Sequence, residues 1–365
     1  MKKISTLGTR GVPAAHGGFE TFAEFLALYL VDHGWEVTVY CQEDKGGTVW
    51  EDTWKGVHRV HIPVKQGGAL GTIVFDWKST LHASRQKKLI LTLGYNTAVF
   101  GLIYRLKGIT NLFNMDGLEW QRDKWSPLGR GWLYLNERMG CLLGNHLIAD
   151  HPEIKSHLVT RVRSEKVTMI PYGSVRIDQA DVTKLQAYEL AADGYCIIIA
   201  RPEPENSILE VVKAFSARAR NLKLVVLGKF FPDENEYHRS VLEAGSDEVI
   251  FPGAIYDKEI VNALRFYCRL YIHGHTVGGT NPSLVEALGA GSAVLAHDNR
   301  FNRWVAGDGA CFFKDEGECA DQLDLLLKSK SRIDAMKSSS RDKHAAMFTW
   351  DHVLSQYEDL LKKYS

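Results

Sequence analysis

The sequence predicts an α/β protein with two doubly wound domains, each built on a parallel sheet. Short apolar strands alternate with amphipathic helical segments through both halves of the chain, and no internal repeat or low-complexity tract interrupts them. One strand, Tyr195 to Ala200, is apolar at almost every position, as in a parallel sheet that is covered on both faces. The length of 365 residues accommodates two domains, each with its own core.

Composition narrows the function before any motif is considered. The 44 basic and 44 acidic side chains cancel, which argues against a general nucleic-acid binder. The six cysteines lie far apart without a Cys-x-x-Cys pair, so we expect reduced core residues and neither a zinc site nor a disulfide framework. The start, MKKISTLGTRG, lacks the apolar segment of a signal peptide, and we therefore expect a cytoplasmic protein.

The first βαβ unit begins at Lys3. A short strand to Leu7 is followed by a glycine-containing loop, an amphipathic helix that starts at Phe19, and a strand from Glu36 to Cys41. The loop lacks the Gly-x-Gly-x-x-Gly spacing of a dinucleotide fold, so an NAD enzyme fits poorly. The loop ends in a glycine pair, Gly17 and Gly18, which also fits a tight turn with positive φ.

Polar residues follow two further strands of the first half. The strand Lys88 to Leu93 is followed by Tyr95 and Asn96, and the strand Asn111 to Asn114 is followed by Asp116 and Glu119. The carboxyl ends of strands border the ligand crevice of an open α/β sheet. The two carboxylates suit a group that hydrogen-bonds a hydroxyl or accepts its proton, and Asp116 fits equally well as the cap of a turn.

A segment rich in aromatic and basic residues comes next, from Trp120 to Tyr134. It fits either contact with an anionic membrane surface or packing against its own domain. The chain then passes through Pro171, Tyr172 and Gly173, where we expect the crossing into the second domain. The polar stretch Arg176 to Asp193 is expected to supply the linker and the entry to the second domain.

Two cations stand at strand ends of the second half. Arg201 follows the strand Tyr195 to Ala200, and its guanidinium can bind phosphate oxygens in a bidentate manner. The alternative for Arg201 is an exposed salt-bridge partner. Lys229 ends the strand Leu222 to Gly228 and is a candidate for a second cation.

The most informative stretch, Tyr271 to His297, predicts a strand, a glycine loop, a helix and a second strand. Asn281 is a good N-cap, and the following proline fits the first helical position. A helix N-terminus attracts anions, and Gly279 and Thr280 would let an anion approach the backbone closely. One turn into the helix, Glu286 could accept hydrogen bonds from a ribose diol. A surface loop with a solvated glutamate is the plainer alternative.

The remaining segments complete the second half. The polar residues His297 to Asn302 are expected to form a loop, in which a ligand could be recognised or which could simply connect two elements. Helices are predicted at Ala320 to Lys328, Arg332 to Met347 and Trp350 to Tyr364.

Several motifs together resemble one protein family. The run GGTNPSLVEALGAGSAVLAHDNRFNR resembles the donor-binding signature of family-four glycosyltransferases of the GT-B fold, in the subgroup that includes bacterial rhamnosyltransferases of cell-surface polysaccharide synthesis. ARPEPENSILEVVKAF and NMDGLEW resemble the second donor motif and the acceptor-side motif of the same subgroup. The resemblance covers nearly the whole chain and implies two Rossmann-like domains that face a cleft.

The resemblance assigns donor roles to residues of the second half. Glu286 matches the glutamate that holds the nucleotide ribose, whereas the family's other glutamate is replaced by Gly278. We expect the backbone N–H groups of Gly279 to Asn281, with the Thr280 and Asn281 side chains, to take over part of its role. Arg201 matches the arginine that pairs with the diphosphate, and Lys229 is the candidate for the cation that many relatives carry shortly after it.

In the first half, the resemblance places Gly17 and Gly18 beside the donor diphosphate and the acceptor. It places Asp116 where many relatives carry a histidine beside the reacting carbon. Asp116 and Arg201 are therefore the predicted catalytic residues. The acceptor side is predicted to comprise Tyr95, Asn96, Asp116 and Glu119.

The domain and function expectations follow from the resemblance. Residues 1–172 would form an acceptor domain, residues 173–349 a nucleotide-sugar donor domain, and residues 350–365 a helix that packs back on the first domain. The implied reaction is retaining transfer of a sugar, L-rhamnose from dTDP-β-L-rhamnose, to a polyprenyl-diphosphate-linked glycan in O-antigen or capsule synthesis. Peripheral contact with the inner membrane would bring the enzyme to that acceptor.

No metal or other cofactor is expected, because Arg201 and the helix N-terminus at Asn281 can stabilise the leaving diphosphate. The same reaction with a UDP- or GDP-hexose donor is an alternative. A non-catalytic nucleotide-sugar-binding homologue in a synthase complex is another, since Gly278 replaces a glutamate. An epimerase or phosphorylase of the same fold would need acid/base carboxylates or a cofactor lysine for which the sequence shows no signature.

Overall fold

The computed structural model describes residues 2–15, 17–44, 46–122 and 124–365. The chain folds into two compact units, residues 1–171 with 350–365, and residues 172–349. Each unit alternates strands with helices around a largely parallel sheet, and the predicted α/β class with two doubly wound sheets is confirmed.

The first unit holds one sheet covered by helices. Its strands are β1 (Lys3–Leu7), β2 (Glu36–Glu43), β3 (Trp50–Trp54), β4 (Val57–Pro63), β5 (Leu89–Leu93), β6 (Asn111–Asn114), β7 (His146–Ala149) and β8 (Val167–Met169). Its helices before the crossing are α1 (Gly18–Asp32), α2 (Gly68–Ala83), α3 (Leu102–Leu106), α4 (Pro127–Leu143) and α5 (Pro152–Leu158). Within the described residues the strand order is β3-β4-β2-β1-β5-β6-β7-β8, so the order reverses between β1 and β5.

A hairpin at one edge of this sheet was not predicted. Strand β3 runs antiparallel to β4, and the two are joined by Lys55 and Gly56, which both have positive φ. Two residues with positive φ form the tight turn whose twist matches that of paired strands. The sequence does contain a signal for this hairpin, because Lys55 and Gly56 lie between two segments in which apolar and polar residues alternate.

The second unit, residues 172–349, is described without a gap. Its six strands are β9 (Tyr195–Ile199), β10 (Lys223–Leu227), β11 (Val249–Gly253), β12 (Leu270–His273), β13 (Val294–His297) and β14 (Cys311–Phe313). Its helices are α6 (Ile208–Ser216), α7 (Glu236–Glu243), α8 (Lys258–Tyr267), α9 (Pro282–Gly289), α10 (Arg300–Ala306), α11 (Glu316–Leu327) and α12 (Lys330–Met347). All neighbouring strands are parallel, in the order β11-β10-β9-β12-β13-β14, and the order reverses between β9 and β12.

The stretch Arg176 to Asp193, expected to supply the linker and the entry to the second domain, contains a 3-10 turn, Val182–Tyr188, whose Leu185 is buried in the core beside α8. One prediction about this unit is wrong. The segment His297 to Asn302 is not a loop throughout, because β13 extends to His297 and α10 begins at Arg300. The side chain of Asn299 caps α10 by accepting from the N–H groups of Phe301 and Asn302.

The last helix, α13 (Trp350–Lys362), belongs to the first unit and packs against α1. The rings of Tyr357 and Phe22 lie 4.6 Å apart, and the Trp35 indole donates to Glu358 at 3.2 Å. The buried Tyr357 hydroxyl accepts from the amide of Asn114 at the end of β6. The C-terminal helix therefore helps to fix a strand end of the first sheet.

In the described residues, no helix combines the length and the apolar composition needed to cross a membrane.

Candidate functional site

The β9/β12 crevice of the second unit is bordered by the loops 200–207 and 274–281, which follow these two strands. Parallel α/β sheets bind ligands where the strand order reverses, because the two loops diverge there and leave a gap. The N–H and hydroxyl of Thr276 donate to the Glu205 carbonyl at 2.9 and 3.0 Å. A Cβ atom at Gly274 would lie 2.2 Å from the Asn206 carbonyl oxygen, so the loops can approach this closely only at a glycine.

Arg201 and Lys229 follow the adjacent strands β9 and β10 at the same edge of the sheet. Both side chains are exposed. The Arg201 carbonyl accepts from the Asn206 amide at 2.8 Å, which fixes the backbone, while its guanidinium makes no ion pair with any described residue. Lys229 lies over the Phe231 ring, with Nζ 5.0 Å from the centroid. The salt-bridge alternative for Arg201 is therefore not what the structure shows, and its charge faces solvent.

The available backbone donors of the glycine loop precede helix α9. The first N–H groups of α9 are already bonded, because Ser283 donates to the Asn281 side chain, and Leu284 and Val285 donate to the Asn281 carbonyl. The N–H groups of Gly279 and Asn281 have no acceptor among the described residues. An anion would therefore be bound by the loop that precedes the helix. The Asn281 side-chain oxygen is used as the predicted N-cap.

Other positions in this loop differ in exposure. Thr280 is buried. Gly278 has φ of +150°, and no atom lies within 4 Å of where its Cβ would stand. The space that a glutamate would enter at this position is therefore open.

Glu286 lies on α9 with its side chain 34% exposed. Its carboxylate oxygen Oε2 is 2.5 Å from Nη2 of Arg265, a buried residue of α8. Glu286 is therefore an anchored carboxylate and not a solvated one. Sequence reasoning missed Arg265, because no spacing rule links the end of one helix to the middle of the next.

The β1/β5 crevice of the first unit is bordered by residues 8–15 and 94–97, which follow these two strands. Gly8 has φ of +83°, and a Cβ atom there would lie 2.1 Å from the Leu93 carbonyl oxygen. Gly17 has an extended φ of −166° and is the N-cap of α1, and Gly18 is the first helical residue. The tight-turn alternative is therefore not realised at Gly17. In the described part of the loop after β1, Gly8 and Gly11 are the residues with positive φ, and neither carried a prediction.

The loop that follows β6 carries Asp116 and is held from several sides. Asp116 has φ of +49°, a strained conformation outside glycine, and its N–H donates to the Asn114 side chain at 3.0 Å. The buried Tyr95 hydroxyl donates to the Gly117 carbonyl at 3.1 Å and accepts from the Glu119 N–H at 2.9 Å. Tyr95 thus fixes the loop. Asn96 is exposed, and its carbonyl accepts from the Trp132 indole at 2.9 Å.

The environments of Asp116 and Glu119 drive their pKa values apart. Burial raises the pKa of Asp116 to about 7, and the nearby carboxylates Glu119 and Asp150 add to the rise. Burial also raises the pKa of Glu119, but Arg122 at 2.5 Å and Lys124 at 3.2 Å outweigh it, and the net pKa is lowered. Two carboxylates with separated pKa values are suited to separate roles, and Asp116 is the one suited to proton transfer near neutral pH.

Among the residues that the structure describes, no group of three or more His, Cys, Asp or Glu side chains is arranged to hold a metal ion.

Family comparisons agree with this architecture. Residues 188–343 match the family described as "Glycosyl transferases group 1", and residues 1–175 match the "Domain of unknown function (DUF1972)". A search of curated proteins finds no match.

Solved structures show the fold. Sucrose-phosphate synthase from Thermosynechococcus elongatus superposes with a TM-score of 0.81 at 17% identity, over 100% of this chain and 99% of that chain. HepE from Anabaena in complex with UDP and glucose superposes with a TM-score of 0.77 at 15% identity, over 99% of both chains. An α,α-trehalose-phosphate synthase (UDP-forming) from Burkholderia vietnamiensis gives 0.75 at 11% identity, over 100% of both chains.

The two sheets and the whole-chain similarity define the class of protein as one with the GT-B fold. Within that class, residues 188–343 match the group 1 glycosyltransferases, and residues 1–175 match the DUF1972 domain. The rhamnosyltransferase subgroup stays a prediction.

Proposed function

We propose that the second unit binds a nucleoside diphosphate sugar in the β9/β12 crevice and that the sugar passes to a hydroxyl of a glycan acceptor held by the first unit. The observation that carries this proposal is the meeting of the Arg201 loop with the glycine loop where the strand order reverses. In this proposal, Arg201 binds the diphosphate bidentately, and the N–H groups of Gly279 and Asn281 donate to it. Glu286 accepts from a hydroxyl of the nucleotide's own sugar.

The mechanism follows from where charge develops. As the bond to the transferred sugar breaks, negative charge grows on the diphosphate, and donors that are already in place stabilise the transition state more than the ground state. Arg201 supplies a full positive charge at that position, which is why we expect no metal or other cofactor to be required. Retention of anomeric configuration is proposed from the family resemblance.

Asp116 is proposed to receive the acceptor. A carboxylate with a pKa of about 7 can hydrogen-bond the attacking hydroxyl when ionised and can accept its proton as the new bond forms. Tyr95 and Asn114 hold the Asp116 loop in its strained conformation, so their role is to position this carboxylate. Gly17, Gly18 and Asn96 remain proposed contacts of donor or acceptor on this unit.

The substrates are proposed at finer detail. The GGTNPSLVEALGAGSAVLAHDNRFNR motif supports L-rhamnose from dTDP-β-L-rhamnose as donor and a polyprenyl-diphosphate-linked glycan of surface polysaccharide synthesis as acceptor. A UDP-hexose is the second candidate donor, because the similar HepE structure holds UDP and glucose and the similar trehalose-phosphate synthase is UDP-forming by name.

Isothermal titration of the purified protein with dTDP, UDP, GDP and their sugars tests the proposal. Preferential binding of dTDP and dTDP-rhamnose, lost in Glu286→Ala, is the expected result. Preference for UDP or GDP would keep the site and change the donor. Nucleotide binding without sugar release to any acceptor would favour a non-catalytic homologue, and no binding at all would contradict the proposed site.

Helix α4 supports the proposal of a membrane-linked acceptor. Exposed apolar residues recur on one face of α4, opposite its buried face, at Leu128, Trp132, Leu135 and Leu142, and the most exposed is Leu128 at 88%. The exposed Arg138 borders this stripe. An amphipathic helix with basic neighbours binds anionic bilayers at the interface. The predicted aromatic segment is thus partly packed, since the Trp120 indole donates to buried Glu137, and partly exposed.

Sedimentation with vesicles that contain anionic lipid tests this contact. We expect the wild type to pellet with such vesicles and a Leu128→Ser, Leu142→Ser variant to stay in the supernatant. Leu325→Ser, at an exposed leucine of the second unit, is the control. Equal pelleting of all three proteins would contradict the membrane contact.

A further inference from the structure

We propose that Arg265 is the positioning residue of Glu286 and that the pair offers one carboxylate oxygen to the nucleotide, so that the site accepts 2′-deoxyribose as readily as ribose. This inference rests on the proposed function, in which Glu286 binds the sugar of the nucleotide.

The two members of the pair differ in exposure. The Arg265 side chain is 7% exposed, whereas that of Glu286 is 34% exposed. The guanidinium therefore lies behind the carboxylate, on the protein side, and the carboxylate lies at the surface of the unit. An arginine in this position restricts the rotamers of the glutamate and leaves one side of it open to a ligand.

Arg265 is itself held in place. Its carbonyl accepts from the hydroxyl of Ser292 at 2.9 Å, and Ser292 is fully buried in the segment that follows α9. Its Nε atom is buried without a hydrogen-bond partner among the described residues. A buried guanidinium that loses its carboxylate is left uncompensated, which costs far more than a surface ion pair contributes. Glu286 therefore stays on Arg265 whether or not a nucleotide is bound.

Helix α9 is fixed relative to the β9/β12 crevice by a second set of contacts. The hydroxyl of Tyr271 on β12 lies 2.7 Å from the hydroxyl of Ser283, in the first turn of α9. Ser283 in turn donates to the carbonyl of Ile199, the last residue of β9, at 3.2 Å. Both strands that border the crevice thus hold the helix that carries Glu286.

The consequence for specificity concerns the two oxygens of Glu286. A carboxylate that binds a ribose diol through both oxygens gains from both hydroxyls and loses a charge-assisted hydrogen bond when the 2′-hydroxyl is missing. Here Oε2 is committed to Arg265, so Oε1 is the oxygen available to the nucleotide. With Oε2 held by the guanidinium, the diol cannot bridge both oxygens, and we infer that Oε1 takes its main hydrogen bond from the 3′-hydroxyl, which ribose and deoxyribose both carry. A deoxyribonucleoside diphosphate donor such as a dTDP-sugar is therefore bound without penalty.

Three nucleotides that share a base and a diphosphate test this inference: UDP, 2′-dUDP and 2′,3′-ddUDP. For the wild type we expect similar Kd values for UDP and 2′-dUDP, and a Kd about 10-fold weaker for 2′,3′-ddUDP, since a hydrogen bond to a charged group is lost. For Arg265→Met we expect 2′-dUDP to bind no more tightly than 2′,3′-ddUDP. Arg265→Lys should restore part of the difference.

If Arg265 had a purely structural role, Arg265→Met would bind all three nucleotides more weakly by the same factor and would still prefer a 3′-hydroxyl. That result would overturn the positioning role. Wild-type binding of UDP about 10-fold tighter than of 2′-dUDP would overturn the one-oxygen contact. If Arg265→Met does not fold, Glu286→Gln and the wild-type series still decide, because Glu286→Gln should also lose the 3′-hydroxyl preference.

The controls separate this inference from the proposed function. Arg201→Ala should weaken all three nucleotides to the same extent, because it acts on the diphosphate. Absence of binding of all three by the wild type would overturn the proposed function and this inference with it. Tight binding of all three with no dependence on the sugar hydroxyls would overturn this inference alone.

Discussion

The two units share the order of six parallel strands, to which the first unit adds β3 and β8, and they differ in the chemistry at the point where the strand order reverses. In the second unit, the β9/β12 crevice has an unpaired Arg201, loop N–H groups and a Glu286 whose charge is compensated by Arg265. In the first unit, the loop after β6 carries Asp116, whose pKa is raised by burial and further by two nearby carboxylates. One edge is suited to an anion and the other to hydroxyl groups. In the proposed function, the same scaffold binds the anionic donor in one unit and the hydroxyl-bearing acceptor in the other.

In both units a glycine allows two backbone segments to meet at this edge. Gly8 meets the carbonyl at the end of β5, and Gly274 meets the carbonyl of Asn206 after β9. The close approach is a property of the scaffold, whereas the side chains around it determine the substrate.

The largest expected effect comes from removing the unpaired charge of the second unit. Arg201→Ala should lower turnover about 10²-fold or more, because the developing charge on the diphosphate loses its main stabilising group. The exposed side chain has no partner among the described residues, so thermal unfolding should not change. Arg176→Ala, an exposed arginine near the opposite end of α9, is the control and should retain activity. Wild-type turnover in purified Arg201→Ala would rule out the assigned role.

Gly8 and Gly274 test whether both units depend on the close approach of two backbone segments. Gly8→Ala and Gly274→Ala should each lower the free energy of unfolding by about 2 kcal/mol or more, because a Cβ would overlap a carbonyl oxygen. Gly34→Ala is the matched control, since it has φ of +77° but open space around its Cβ, and should cost about 1 kcal/mol. Chemical denaturation measures all three, and equal losses would show that close approach does not matter.

The pH dependence of stability and activity tests the role of Asp116 in the first unit. Its pKa is raised in the folded state, so the stability it contributes is present below the ordinary carboxyl pKa and is lost as pH rises through about 7. Asp116→Asn, which also tolerates positive φ, should therefore unfold at a higher temperature than the wild type at pH 8. Activity should fall about 10-fold and lose its rise around pH 7, because the amide cannot accept a proton.

For Glu119, we expect the unfolding temperature at pH 8 to change in the opposite direction when the carboxylate is replaced. Its pKa is lowered in the folded state, so it contributes stability above the ordinary carboxyl pKa that is lost as pH falls through the folded value. Glu119→Gln should therefore unfold at a lower temperature than the wild type at pH 8. Shifts of the same sign in both variants would contradict the separation of the two carboxylates.

The smallest expected effect is at Lys229. Its ammonium group lies over the Phe231 ring at the exposed end of β10, one strand away from the crevice. We expect Lys229→Ala to change the KM for the donor by less than about 3-fold, because an exposed cation contributes little. A loss as large as that of Arg201→Ala would make Lys229 the second diphosphate cation that the sequence predicts.

Local patterns in the sequence were sufficient to predict most of the strands and helices. The strands β1, β6 and β7 lie where the apolar runs predict them, and Asn281 caps α9 as its side chain and the following Pro282 indicate. These features depend on interactions within a few residues. The error at His297 to Asn302 was avoidable, because Asn299 is an N-cap residue followed by apolar residues at helical spacing.

The site depends on contacts that no local pattern contains. Arg265 reaches Glu286 across two helices, and Tyr357 reaches Asn114 from the C-terminal helix. The reversal of strand order, which brings the loop that carries Arg201 against the glycine loop, is a property of the folded sheet. The predicted site residues stay predictions, and the residues that hold them, such as Arg265 and Tyr357, were missed.

A crystal structure of the protein with a bound nucleoside diphosphate tests the central claim most directly. We predict the diphosphate in the β9/β12 crevice, within hydrogen-bond distance of the Arg201 guanidinium and the Gly279 N–H, with a sugar hydroxyl on the free oxygen of Glu286. A diphosphate bound instead beside Asp116 at the carboxyl edge of the first sheet, with Arg201 free in solvent, would contradict the assignment of the two units.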